Sequence, residues 1–123
     1  MHQAADSMPA AIDVEGVSVK GDTYGDMIAG KLKLAKGSDL APVLAGLPHD
    51  HCQCPHWGYV IEGEIEVTYQ SGETETVRAG DLYYWPPGHV VRFTEDTTYV
   101  EFSPAEEMAQ VLAHVKSKMG LTE

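Results

Sequence analysis

Gly, Pro and Asp punctuate this chain roughly every eight to twelve residues. Spacing that dense favours short strands joined by turns over long helices. The stretch 59–69 alternates most clearly: Tyr59, Ile61, Ile65, Val67 and Tyr69 fall on one face, and Glu62, Glu64, Glu66 and Thr68 on the other. Gly63 interrupts the apolar face as a bend or bulge would. Gln70-Ser71-Gly72-Glu73 is a hairpin turn that returns through 75–78. Earlier, 14–19 is a weak strand. In 27–35, Ile28, Gly30, Leu32 and Leu34 oppose Lys31 and Lys33. The segment 41–47 is apolar but holds Pro42 and Gly46, so it reads as a connection or an edge strand. Further strands are expected at 82–85, 90–93 and 97–102, separated by the stiff corner Pro86-Pro87-Gly88 and the acidic turn Glu95-Asp96.

The period then changes. Ser103-Pro104-Ala105-Glu106 has the form of a helix cap, with Ser103 capping and Pro104 at the first helical position. Met108, Val111, Leu112, Val115 and Met119 follow at helical spacing, and Gly120 stops the helix. The expected domain plan is a flexible arm over 1–12, a β-barrel over 13–103 and an amphipathic helix over 104–120. The helix would lay its apolar stripe on the barrel or on a partner subunit. About seven to nine short strands before one helix give an all-β single domain, a small barrel or double-stranded jelly roll with one C-terminal α-helix.

At 123 residues the chain has room for one domain. Its net charge of −11 argues against nucleic acid or an anionic membrane surface as partner, because both would repel it. The start has neither a basic segment nor an apolar one of the kind a secretory signal needs, so a cytoplasmic setting is the expectation. The two cysteines cannot build a disulfide framework.

Chemistry concentrates in His49-Asp50-His51-Cys52-Gln53-Cys54-Pro55-His56. His49 and His51 point to one face if the segment is extended, and Pro55 favours a turn that lets His56 face them. Imidazoles in such a cluster suit zinc, iron, nickel or manganese. Of the six histidines, His2 and His114 read as surface residues, whereas His89 starts a strand and could point inward. Alternation from His89 turns Val91 and Phe93 inward and Arg92 outward. The expected lining of an apolar substrate pocket is Tyr59, Tyr83, Trp85, Val91 and Phe93.

From His49 to His89 the sequence resembles the cupin superfamily, and within it the small single-domain metal-binding cupins. The first cupin motif is similar to His49-x-His51, a spacer 52–55, His56 where the family usually has glutamate, a spacer 57–62, and Gly63. The second is similar to Gly80, a spacer 81–85, and Pro86-Pro87-Gly88. There the family histidine falls on Val91 and the asparagine on Glu95, with His89 slightly ahead. The resemblance implies a divalent metal held in the barrel by His49, His51, His56 and His89. A thiolate of Cys52, or less directly Cys54, is an alternative ligand, since Cys52 can be aligned with the second ligand position. It also implies a small-molecule ligand, a homodimer, and activity as a metal-dependent oxygenase, isomerase or lyase. The alternative is a non-catalytic module that binds or senses a small ligand or metal.

Overall fold

A computed structural model describes residues 1–121. Among these residues nine strands form two antiparallel sheets. Strands β1 (Ala10–Val14), β2 (Val17–Tyr24), β3 (Met27–Leu34), β9 (Thr97–Pro104), β4 (His56–Glu62) and β7 (Leu82–Trp85) make a six-stranded sheet in the order β1-β2-β3-β9-β4-β7. Strands β6 (Thr74–Arg78), β5 (Glu64–Tyr69) and β8 (His89–Phe93) make the second sheet, in the order β6-β5-β8. The sheets face one another as a jelly roll that does not close into a continuous barrel. Helix α1 (Ala41–Leu44) and helix α2 (Ala105–Lys118) lie against the roll.

The main core lies between the inner faces. Val60, Ile65, Val67, Val77, Trp85, Phe93 and Tyr99 are buried there with Leu32 and Leu34. A second apolar cluster gathers Leu44, Cys52, Cys54 and Val111 beneath the two helices. It exists because α2 turns its stripe inward: Met108 and Val115 pack on it from the helix side.

Several elements differ from their sequence reading, each for a local reason. The weak strand read at 14–19 is divided: β1 begins at Ala10 and β2 at Val17 after a turn at Gly16, whose φ is 80°. Met8 and Ile12 are buried within the stretch read as an arm, and a single 3-10 turn spans Ala5–Ser7. The first part of segment 41–47 forms α1 (Ala41–Leu44), in which Pro42 occupies a first-turn position, where its missing N–H is no loss. Ser103 does not cap α2. It is still in β9, and the N–H of Ala105 donates to the carbonyl of Asp26 at 2.9 Å.

The largest difference is a change of parity at Gly63. Before it, His56, Gly58 and Val60 face inward, and Tyr59 and Ile61 face outward; after it, Ile65 and Val67 face inward. Gly63 has φ of 100°, and pairing with β9 slips between Val60 and Glu62. A Cβ at Gly63 would lie 2.3 Å from Thr97 Oγ1, so only glycine fits. The extra residue moves every odd position from the outer to the inner face.

Candidate metal centre

The backbone brings Cys52 to His89 before any side-chain interaction is considered. The N–H of Cys52 donates to the His89 carbonyl at 2.9 Å, and the N–H of Gly88 donates to the Cys52 carbonyl at 2.7 Å. Gly88 takes φ of 95° at the end of the Pro86-Pro87 corner, which aims β8 so that His89 points inward. His56, the first residue of β4, reaches the same space from the opposite sheet.

Cys52, His56 and His89 are all buried, and one ligand atom from each lies within 4.8 Å of the others. Cys52 Sγ is 3.6 Å from His56 Nε2. A tetrahedral ion with metal–sulfur and metal–nitrogen bonds of about 2.3 and 2.0–2.1 Å separates two such ligand atoms by about 3.6 Å. Both rings are held from behind. His89 Nδ1 is 2.8 Å from the Pro86 carbonyl, and His56 Nδ1 is 2.6 Å from Ser103 Oγ. At His89 the carbonyl can only accept, so Nδ1 carries the proton and Nε2 is free to ligate, the usual arrangement behind a metal-binding imidazole; at His56 the Ser103 hydroxyl holds the ring with Nε2 toward Cys52. The donor set therefore fits a metal ion: one sulfur, two nitrogens and an open side facing a cavity.

That cavity, about 300 Å³, lies between the sheets and under α1 and α2. Its wall includes the three candidate ligands, Trp85, Val91, Tyr99 and Glu101, and the α2 residues Met108, Val111, Leu112, Val115 and Met119. Burial pushes the Cys52 thiol up to about 12 and both imidazoles down to about 4; at His89 the neighbouring His56 adds to the effect.

The imidazole shifts have a consequence for stability. The unfolded chain takes up these protons near pH 6.5, whereas the folded protein resists them down to about pH 4. Across that window the unfolded state binds more protons, so stability rises with pH and is lost as pH falls. Thermal unfolding in the presence of a chelator is expected to show a midpoint that drops steadily between those two values.

Glu101 was not singled out by the sequence reading. It is buried, and its Oε1 accepts the Tyr83 hydroxyl at 2.8 Å. Its Oε2 is 3.7 Å from His56 Nδ1. Burial pushes its carboxyl up to about 7, partly offset by the Tyr83 hydrogen bond. Gly58 permits this contact. Tyr83, Gly58 and Glu101 stand side by side on β7, β4 and β9, and a Cβ at Gly58 would be 2.3 Å from the Tyr83 oxygen. The available signal was parity: Glu101 shares its phase with Thr97, Tyr99 and Ser103, all buried.

The other expected site residues are distributed differently. His49 is exposed at the left-handed turn ending in Asp50, with φ of 57°, and His51 Nδ1 contacts the His49 carbonyl. Neither joins the Cys52–His56–His89 group. Cys54 is buried in the second apolar cluster, with its thiol directed at the Pro55 carbonyl. Of the expected pocket residues, Trp85 and Val91 line the cavity. Tyr83 stacks on Trp85 at 3.9 Å between ring centres and Phe93 is buried in the main core. Tyr59 faces outward, because of the parity change at Gly63. His114 is half-buried and bonds the Ala45 carbonyl at 2.8 Å, tying α2 to the end of α1, so it is not a plain surface residue.

Comparison with known proteins agrees with this architecture. The family model described as "Cupin domain" matches residues 32–103. A crystal structure of an RmlC-like cupin from Shewanella frigidimarina is similar over 87% of this chain and 93% of that one, at 20% identity and a TM-score of 0.61. KdgF from Halomonas sp. is similar over 82% and 92%, at 26% identity and a TM-score of 0.59. A mutant of Bacillus subtilis oxalate decarboxylase is similar over 83% of this chain, at 17% identity and a TM-score of 0.62, but this chain spans only 28% of its length. No curated protein matches the chain in sequence.

Proposed function

The chain belongs to the cupin family, and on that premise we propose that it binds one divalent metal ion through Cys52, His56 and His89 and acts on a small molecule in the adjoining cavity. The observation that carries this reading is the convergence of three buried ligand atoms, two on rings fixed from behind, at the wall of a largely apolar cavity. Sulfur and imidazole donors favour zinc or iron, then nickel, over manganese. Three protein ligands with an open position are the pattern of a catalytic rather than a purely structural site. Bound there, a divalent ion would supply Lewis-acid or redox chemistry to a ligand atom in the cavity.

The chain's own residues do the positioning. Pro86 and Ser103 fix the two imidazoles, and Glu101 stands behind His56 as the buried carboxyl nearest its Nδ1. Tyr83 keeps that carboxyl from swinging. Helix α2 and the two sheets line the open side of the site with mostly apolar side chains. An oxygenase, isomerase or lyase fits this arrangement. Metal-loaded protein is expected to consume oxygen or convert a substrate in a screen of small metabolites, with the activity lost in His56→Ala. Stoichiometric metal without turnover would reduce the proposal to a ligand-binding or sensing module.

A second copy of this chain is the proposed partner for the outer face of the six-stranded sheet. Phe102, Trp57 and Tyr84 form one cross-strand row there, and Val100, Tyr59 and Leu82 the next. All but Val100 are exposed, these six side chains carry no charge although Lys31 on β3 flanks Val100, and Trp57 stacks on Tyr84 at 5.2 Å. The patch runs to β7, an edge strand with one unpaired side. An uncharged patch beside an open edge is where two chains of net charge −11 can meet with least repulsion. Sedimentation is expected to give a dimer for the wild type and a monomer for Tyr84→Lys; a monomeric wild type would overturn the pairing.

A further inference from the structure

Who occupies the cavity can be argued from what its wall lacks. The chain has eight lysines and arginines, and none of them lines this space. The chain has no asparagine, and none of its glutamines lines the wall. Its polar side chains are Ser38, Asp39, Cys52, His56, His89, Tyr99 and Glu101, and everything else is aliphatic, Met or Trp85. Of these, Asp39 is exposed at the rim and already accepts the N–H of Ala41 at 2.9 Å. Cys52, His56 and His89 are committed to each other, and Glu101 to Tyr83.

We infer that the ligand of this cavity is a neutral, largely apolar molecule with a single donor atom for the metal, such as a phenolic or alcoholic hydroxyl, and not a carboxylate, phosphate or sugar. This rests on the metal site proposed above and specifies what that site takes. A carboxylate beyond the one atom the metal can hold would be buried without a cation; the Trp85 indole N–H, which has no partner among the described residues, and the Tyr99 hydroxyl are neutral donors and do not balance its charge. Such desolvation costs several kcal/mol. Two carboxyl groups, Asp39 and Glu101, add repulsion when ionised. The thiolate of Cys52 cancels one charge of a divalent ion, so the centre holds anions less strongly than a neutral-ligand site would. A sugar would need a hydrogen-bond partner for each of its several hydroxyls, more than the Trp85 N–H and the Tyr99 hydroxyl supply on this largely aliphatic wall. The volume of about 300 Å³ equals the liquid volume of about ten waters. It suits a ligand on the scale of a substituted aromatic ring, lying between Trp85 on one side and Val111, Leu112 and Val115 of α2 on the other.

The test compares thymol, a neutral alkylphenol, with cuminate, an anion of similar size and shape, and with oxalate. Calorimetric titration is done on zinc-loaded and chelator-treated protein. The zinc-loaded protein is expected to bind thymol at least tenfold more tightly than cuminate and to show no binding of oxalate. Leu112→Trp, which fills the cavity from α2 and is not one of the three ligands, is expected to weaken thymol tenfold with zinc content unchanged. Zinc bound stoichiometrically with cuminate or oxalate bound as tightly as thymol would overturn the inference and leave the metal site standing. If the protein takes up no zinc, the metal reading fails by itself. The chelator-treated protein then decides the cavity: a retained preference for thymol supports its neutral character, and equal binding overturns it.

Discussion

His89→Ala is expected to lower zinc affinity by at least about 100-fold, which is more than removal of a group behind a ligand, where losses run to about 10–100-fold. The reason is geometric. Among the described residues His89 supplies one of the three ligand atoms of the proposed site, and its Nδ1 is already bound to the Pro86 carbonyl. Its removal leaves two ligands, one on a loop and one on β4, and an added void beside Trp85. His56→Ala and Cys52→Ala should have effects of the same order. Ser103→Ala is the graded control: it releases the His56 ring without removing a ligand, so its loss should fall in the lower range. Competition with a zinc-binding dye reads all four. Fold is monitored separately by near-ultraviolet circular dichroism, because these residues are also buried.

The second large effect concerns stability. Trp85→Ala is expected to cost about 3–5 kcal/mol and to lower the melting temperature by roughly 10–20 °C. Trp85 is 1% exposed. It stacks on Tyr83 at 3.9 Å and packs edge-on to His56 at 6.2 Å. It therefore joins the main core to the proposed metal centre and lines the cavity. Trp85→Phe should cost much less, since it keeps a ring against Tyr83 and removes an indole N–H that has no hydrogen-bond partner among the described residues. Thermal melts of the two variants with and without zinc separate packing from metal linkage.

Much of the fold is legible in the sequence because most of its strands are short and regular. At β8 the alternation from His89 turns Val91 and Phe93 inward and Arg92 outward, and Arg92 is found on the surface, paired with Glu66 at 3.0 Å. Helix α2 carries its stripe where helical spacing puts it. The parity of β4 is not legible. Gly63 can be recognised as a bulge, but which strand it serves, and hence whether Tyr59 or Gly58 faces inward, depends on pairing with β9. Ser103 misleads for a related reason: its local sequence suits a helix cap, while its register on β9 delivers the hydroxyl to His56. Local pattern ranks below long-range pairing in both cases.

The candidate site divides along the same line. His56 and His89 are brought together by two strands whose inward phase can be read. The pairing of Cys52 with His89 comes from an isolated bridge between a loop and a strand end, which no periodicity encodes. The His49-x-His51 pattern fits the family motif by spacing, yet the left-handed backbone at His49 and Asp50 turns the segment outward. Glu101 escaped notice because a single carboxyl among buried residues looks like any strand acid until Gly58 and Tyr83 are seen beside it.

The most direct measurement is cobalt(II) titration of the wild type and of Cys52→Ala, Cys54→Ala and the double variant His49→Ala/His51→Ala, read by metal stoichiometry and by the ultraviolet thiolate-to-cobalt charge-transfer band. The account predicts one ion per chain, with a band present in the wild type, in Cys54→Ala and in the double histidine variant, and absent in Cys52→Ala. A wild type that binds no stoichiometric ion would contradict it. So would an ion that ignores Cys52→Ala and is lost with His49 and His51.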